Sequence, residues 1–162
     1  FGTSDVNSEG FRDAVLVNGQ VGGFYNAVAF VAALAMVPFT RRHGAGRVHA
    51  LCLTVAGIAM IGIPQIESQA LLFVPMLGIG LAWASMMGNP YVMLASSIPP
   101  ERTGVYMGIF NMFIVIPLLL GGLIVSQLYD TVFAGDPRNV LMMSGVLMVC
   151  AALATLRVKV PD

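Results

Sequence analysis

Three amides stand in otherwise apolar stretches of the chain, Asn26, Asn89 and Asn111. Neutral, hydroxyl-rich molecules are held by such amides, by hydroxyls and by aromatic faces, and Trp83 and Tyr91 can stack a sugar-like ring. Gly88 and Pro90 flank Asn89, so one amide sits where a helix is weakest. Pro90 has no N–H to donate to the carbonyl of Met86, and its ring clashes there; Pro117 acts alike in a later stretch. Interrupted helices at membrane depth are tolerated where the freed carbonyls are re-satisfied or line a cavity. These residues suit binding rather than bond-making. No nucleophile stands beside a base, and His43 and His49 lie in or beside one polar connection without a Cys or carboxylate cluster. Neither zinc spacing nor a phosphate loop occurs, so an enzyme is not expected, and neither is a bound metal or cofactor.

The elements that carry these residues follow from charge. None of the eight basic and eight acidic residues falls within Ala14–Thr40, Val48–Ile66, Ser68–Pro100, Thr103–Tyr129 or Asn139–Leu156. A bilayer core of about 30 Å takes about 20 apolar residues as a helix. The expected fold is therefore all-α and integral to a membrane, with five transmembrane helices at about 15–39, 48–65, 70–96, 104–128 and 139–157. Composition agrees: 57% of residues are hydrophobic, 10% are charged and mean hydropathy is +0.85. A soluble domain carries about 25% charge. Net charge is zero, so no long-range field favours nucleic acid; membrane lipid is the expected surround. Cys52 and Cys150 both lie in apolar runs and read as small hydrophobes.

Helical spacing gathers the neutral polar residues into stripes. One holds Asn18, Gly22, Tyr25, Asn26 and Ala29; another holds Gly78, Ser85, Asn89 and Ser96; a third holds Gly104, Gly108, Asn111, Val115 and Gly122. Amides facing lipid are costly, so these faces should point into the bundle or toward a wet cavity. Gly19-x-x-x-Gly23 and Gly104-x-x-x-Gly108 fit close helix packing. For the three amides, interhelical bonding and solute contact both fit.

Arg41, Arg42, Arg47, Arg102, Arg157 and Lys159 fall on one side of the expected membrane, and Arg12 and Arg138 on the other. That bias places the N-terminus outside and the C-terminus in the cytoplasm. Arg41, Arg42, Glu101 and Arg102 then share the cytoplasmic loops. They could pair across an inside gate, or form solvated pairs worth only about 0–1 kcal/mol. An odd helix count with an outside start, and a first residue other than Met, point to a piece of a longer membrane protein.

Two stretches resemble a known family. LGIGLAWASMMGNPYVMLASS (Leu77–Ser97) and PPERTGVYMGIFNMFIVIP (Pro99–Pro117) look like the tenth and eleventh helices of sugar–cation symporters of the major facilitator superfamily. The sucrose–proton and related α-glucoside symporters, in or near the glycoside–pentoside–hexuronide group, are most similar. Phe1–Tyr25 and RRHGAGRVHALCL (Arg41–Leu53) look like the start of the eighth helix and the connection after it. The resemblance spans essentially the whole chain, strongest over Leu77–Pro117 and weak after Gly121. It implies helices eight to twelve of a twelve-helix fold, working with a seventh helix and an N-terminal half that are missing here. It also implies a multi-pass protein of the cell (inner or plasma) membrane that takes up a disaccharide or other glycoside by alternating access. The coupling ion, a proton or sodium, would bind in the missing half. Three positions depart from the family pattern: Gly88-Asn89 stands where a small residue and Met or Ile are usual, Leu118 where Gln is frequent, and the loop pattern of an acidic residue before Arg is degraded at Arg41–Arg47. The alternative is a non-transporting membrane scaffold, an assembly subunit or an inactive truncated transporter. Such a protein would share the glycine faces but would not need kinked helices with aligned amides.

Overall fold

Ser8 starts the first helix. Its hydroxyl accepts the N–H of Phe11 at 3.2 Å, and Glu9 sits in the first turn, where the helix dipole favours negative charge. The computed structural model describes residues 5–158; Lys159, counted above with the cations of one side, lies outside them. Helix α1 runs Glu9–His43, 35 residues long. It begins before the expected start because Ser8 caps it there, which takes Arg12 and Asp13 into the helix. At its far end Gly44 has φ 85°, a conformation that side chains with a Cβ rarely adopt, and α2 (Ala45–Gly62) begins at once. The expected loop Arg41–Arg47 thus shrinks to a single residue. Arg41 and Arg42 lie in the last turn of α1, where positive charge is favoured.

A 3₁₀ turn at Ile63–Gln65 ends the second span, and another at Ala70–Leu72 leads into α3 (Phe73–Ala95). A third, Pro100–Arg102, leads into α4 (Thr103–Leu128). Asp136 caps α5 (Pro137–Thr155) by accepting the N–H of Arg138 at 2.8 Å, with Pro137 in the first helical position. All five helices are long and apolar enough to cross a membrane. The all-α, five-helix membrane architecture is as the charge pattern anticipates. Helices α3 and α4 continue through Pro90 and Pro117, so these prolines do not end a helix and any effect they have is a kink within it. Pro38, not singled out above, likewise lies inside α1.

Small residues decide the packing. A Cβ on Gly57 of α2 would come within 2.7 Å of the carbonyl oxygen of Gly145 on α5. One on Gly80 of α3 would meet the Tyr25 carbonyl oxygen of α1 at 2.8 Å, and one on Gly78 would meet Val55 of α2 at 3.0 Å. So α3 lies against α1 and α2, and α2 against α5. Gly19, Gly23, Gly104 and Gly108 behave otherwise: a Cβ on any of them would meet nothing within 4 Å. Among the described residues, no other helix stands within 4 Å of the Cβ positions of the two glycine pairs expected to pack helices. Helix α4 has no buried residue. Phe113 and Leu118 are more than 70% exposed there, a surface suited to lipid or to further helices.

Candidate functional site

In a hydrocarbon surround a polar side chain has to find its partners inside the protein. Among the described residues, the buried polar side chains are His49, Ser85 and Asn89, and they touch one another. Thr40 of α1 donates its hydroxyl to Asn89 Oδ1 at 3.0 Å. Asn89 Nδ2 donates to Ser85 Oγ at 2.8 Å, one turn back on α3. Ser85 Oγ lies 2.9 Å from Nδ1 of His49 on α2. One polar line therefore ties α1, α3 and α2 together.

Two grooves open onto this line. The first, about 440 Å³, lies between α1 and α3 and is lined by Met36, Thr40, Arg41, Met87, Gly88 and Asn89 among others. Gly88 leaves its wall bare, since a Cβ there would touch nothing within 4 Å. Asn89 Nδ2 also approaches Met36 Sδ at 3.4 Å, a weak acceptor on the same wall. The second groove, about 370 Å³, is lined by His49 of α2, Pro90, Met93 and Ser97 of the α3 stretch, Phe110 of α4 and Thr155 of α5 among others. The two grooves meet the polar line at its opposite ends.

The expected site residues divide into groups. Asn89 and Gly88 come together with Arg41 at the first groove. Tyr91 and Asn111 form a separate pair: the Tyr91 hydroxyl donates to Asn111 Oδ1 at 3.2 Å, and its ring meets Phe110 edge-on at 5.1 Å between centroids. Asn26 is exposed and donates to the Gly22 carbonyl oxygen of its own helix at 2.8 Å. Trp83 is also exposed and lines neither groove. Arg42, Glu101 and Arg102 are exposed as well, and no ion pair joins them to one another or to Arg41 among the described residues.

Sequence reasoning missed Thr40 and His49. His49 was read as belonging in or beside a loop, with no ionisable side chain at depth; it is instead buried inside α2. The signal was its spacing to Cys52, Leu53 and Ala56, all buried, which marks the inward face of a helix.

Five apolar helices surround a buried polar line, and the sequence matches the Major Facilitator Superfamily over residues 7–162. The chain belongs to the major facilitator superfamily. Membership makes it a transporter-type membrane protein rather than an enzyme. No curated protein and no solved structure matches it. Superfamily transporters place their solute between two six-helix halves that rock about a central site. The groups that border the first groove are neutral hydrogen-bonding ones and the Arg41 guanidinium, which can orient a solute.

Proposed function

We propose that the chain serves secondary active transport of a disaccharide or other glycoside, such as sucrose or maltose, by alternating access and with a proton as coupling ion. Asn89 carries this reading. It is 4% exposed, yet its amide borders the groove between α1 and α3. A groove of about 440 Å³ falls within the range of small-molecule sites. The amide proton directed at Met36 Sδ is held only by a thioether. A solute hydroxyl would be a better acceptor and could replace it without leaving the amide unpaired. Arg41 at the same groove adds donors in a planar fork.

In this reading Tyr91 and Asn111 contribute a second polar contact where α4 meets α3. Asn26, Trp83 and the open glycine faces of α1 and α4 turn toward further helices of the transporter or toward the solute path. The arginine-bearing end is cytoplasmic, as the six-to-two bias of positive charge suggests, and Arg41, Arg42, Glu101 and Arg102 belong to an inside gate.

The test is uptake of labelled sucrose and maltose into vesicles carrying the intact protein, with and without an imposed pH gradient. Loss of uptake in Asn89→Leu at normal expression is the expected result. Undiminished uptake would take Asn89 out of the path, and indifference to the gradient would reject proton coupling. If the unaltered protein moves neither sugar, the glycoside reading fails.

A further inference from the structure

His49 and Cys52 are the buried titratable side chains among the described residues. The polar line hands hydrogen bonds on from Thr40 to the histidine ring. Thr40 donates to Asn89 Oδ1, and Asn89 Nδ2 donates to Ser85 Oγ. Ser85 has one proton of its own, and the acceptor in line with it is His49 Nδ1 at 2.9 Å. With the Ser85 proton directed at Nδ1, the neutral ring carries its own proton on Nε2. Among the described residues Nε2 has no hydrogen-bond partner, and it is not sealed off, since no buried side-chain nitrogen or oxygen there lacks one. It opens to the groove shared by α2, α3, α4 and α5.

We propose that His49 is a proton-binding site whose protonation is felt, through the Ser85 hydroxyl, by Asn89 in the α1–α3 groove. A proton taken from water in the second groove puts an N–H on both ring nitrogens. Nδ1 then donates to Ser85 Oγ, and the serine hydroxyl has to turn its own proton away from the ring. Ser85 Oγ now serves two donors, His49 and Asn89. The charged donor forms the stronger bond. Both lone pairs of the serine oxygen are then in use, the bond from Asn89 Nδ2 is weakened, and a solute oxygen in the groove competes for that amide more readily. Proton binding at one groove thus prepares the amide at the other.

Among the described residues, the groups that line the groove of His49 or continue its polar line are neutral: Ser85 and Asn89 from α3, Phe110 from α4 and Thr155 from α5. On the α1 side Thr40 closes the line. The charged residues of this end, Arg41, Arg47, Glu101, Arg102 and Arg157, do not line the groove of His49.

The consequence for a solute rests on the transport reading above, whereas the proton site does not. The chain has two histidines, so ¹⁵N-labelling of histidine in the intact protein in lipid bilayers gives two sets of ring signals. His43, exposed at the end of α1, is the reference. The expected neutral form of His49 carries its proton on Nε2 and becomes doubly protonated as pH falls. Ser85→Ala and Asn89→Leu should displace the His49 midpoint and leave that of His43 in place. A neutral ring protonated on Nδ1 would overturn the proposal. So would a ring that never takes up a second proton while the protein stays folded, or a midpoint indifferent to both substitutions. Because no solute is present, failure of the glycoside reading leaves this result standing, and a failed titration leaves sugar uptake intact.

Discussion

Thr40 and Asn89 lie 49 residues apart and share a hydrogen bond of 3.0 Å across the α1–α3 contact. The bond occupies Asn89 Oδ1 and leaves the amide nitrogen to Ser85 and Met36. Leucine at position 89 would strand both the threonine and the serine hydroxyls. Interhelical hydrogen bonds in membranes contribute about 0.6–2 kcal/mol each. Asn89→Leu should therefore lose about 1–2 kcal/mol against denaturant in detergent and abolish uptake. Thr40→Val removes one bond and keeps the amide, so about 0.5–1 kcal/mol is expected, with uptake above that of Asn89→Leu. Equal uptake in the two variants would show that the amide has no role of its own.

The glycines separate into two classes by what surrounds them. Gly57→Ala and Gly80→Ala would drive a methyl group to within 2.7–2.8 Å of backbone oxygens on a neighbouring helix. Overpacking of this kind costs about 1–3 kcal/mol. Gly23→Ala and Gly108→Ala meet open space and should leave thermal unfolding of this chain unchanged or slightly raised. Comparable losses in both classes would mean that the helices pack differently from the arrangement described.

Gly44 is a turn that alanine cannot make comfortably. With φ at 85°, Gly44→Ala should cost about 1–2 kcal/mol, although a Cβ there would touch no neighbour. Gly62 also has open space around it but sits at φ −77°, so Gly62→Ala is the matched control. Equal melting temperatures for the two variants would remove backbone strain as the reason for glycine at position 44.

Helix α4 meets α3 at Tyr91, which pairs with Asn111 and Phe110. Tyr91→Phe keeps the ring contact and drops the hydroxyl; Asn111→Ala drops the acceptor. In a double-mutant cycle the pair should couple by about 0.6 kcal/mol, so the double variant loses little more than either single one. Hydrogen exchange along α4 should quicken in all three. Strict additivity would show that the two residues do not interact.

Much of the fold was legible because a charge inside a bilayer is expensive. The placing of charged residues alone separated five spans, and no tertiary information was needed. Helix ends were harder. Ser8 and Gly44 moved the bounds of α1 and α2, since a cap bond and a positive φ depend on local geometry rather than on hydropathy. Of the stripe Gly78, Ser85, Asn89 and Ser96, visible at helical spacing, the first three lie on the buried face of α3, whereas Ser96 is exposed just past the helix end. What spacing could not give was the partner. Glycine pairs four residues apart at 19 and 23 or 104 and 108 look the same in sequence whether or not another helix faces them. The contacts that formed use Gly57, Gly80 and Gly145, none of which belongs to such a pair. His49 escaped for a related reason: beside Arg47 it reads as part of a polar connection, and only the neighbouring helices place it inside.

The contact between Gly57 and Gly145 also bears on how the chain is assembled during synthesis. About 90 residues separate the two, so at about 5–20 residues per second the ribosome needs roughly 5–20 s to deliver the partner after α2 has been made. Throughout that interval the bare glycine backbone of α2 stands unpaired in the bilayer or against the insertion machinery. This close glycine contact is thus among the last that can form, and a stalled or shortened nascent chain would leave that seam open to the first helix that fits it.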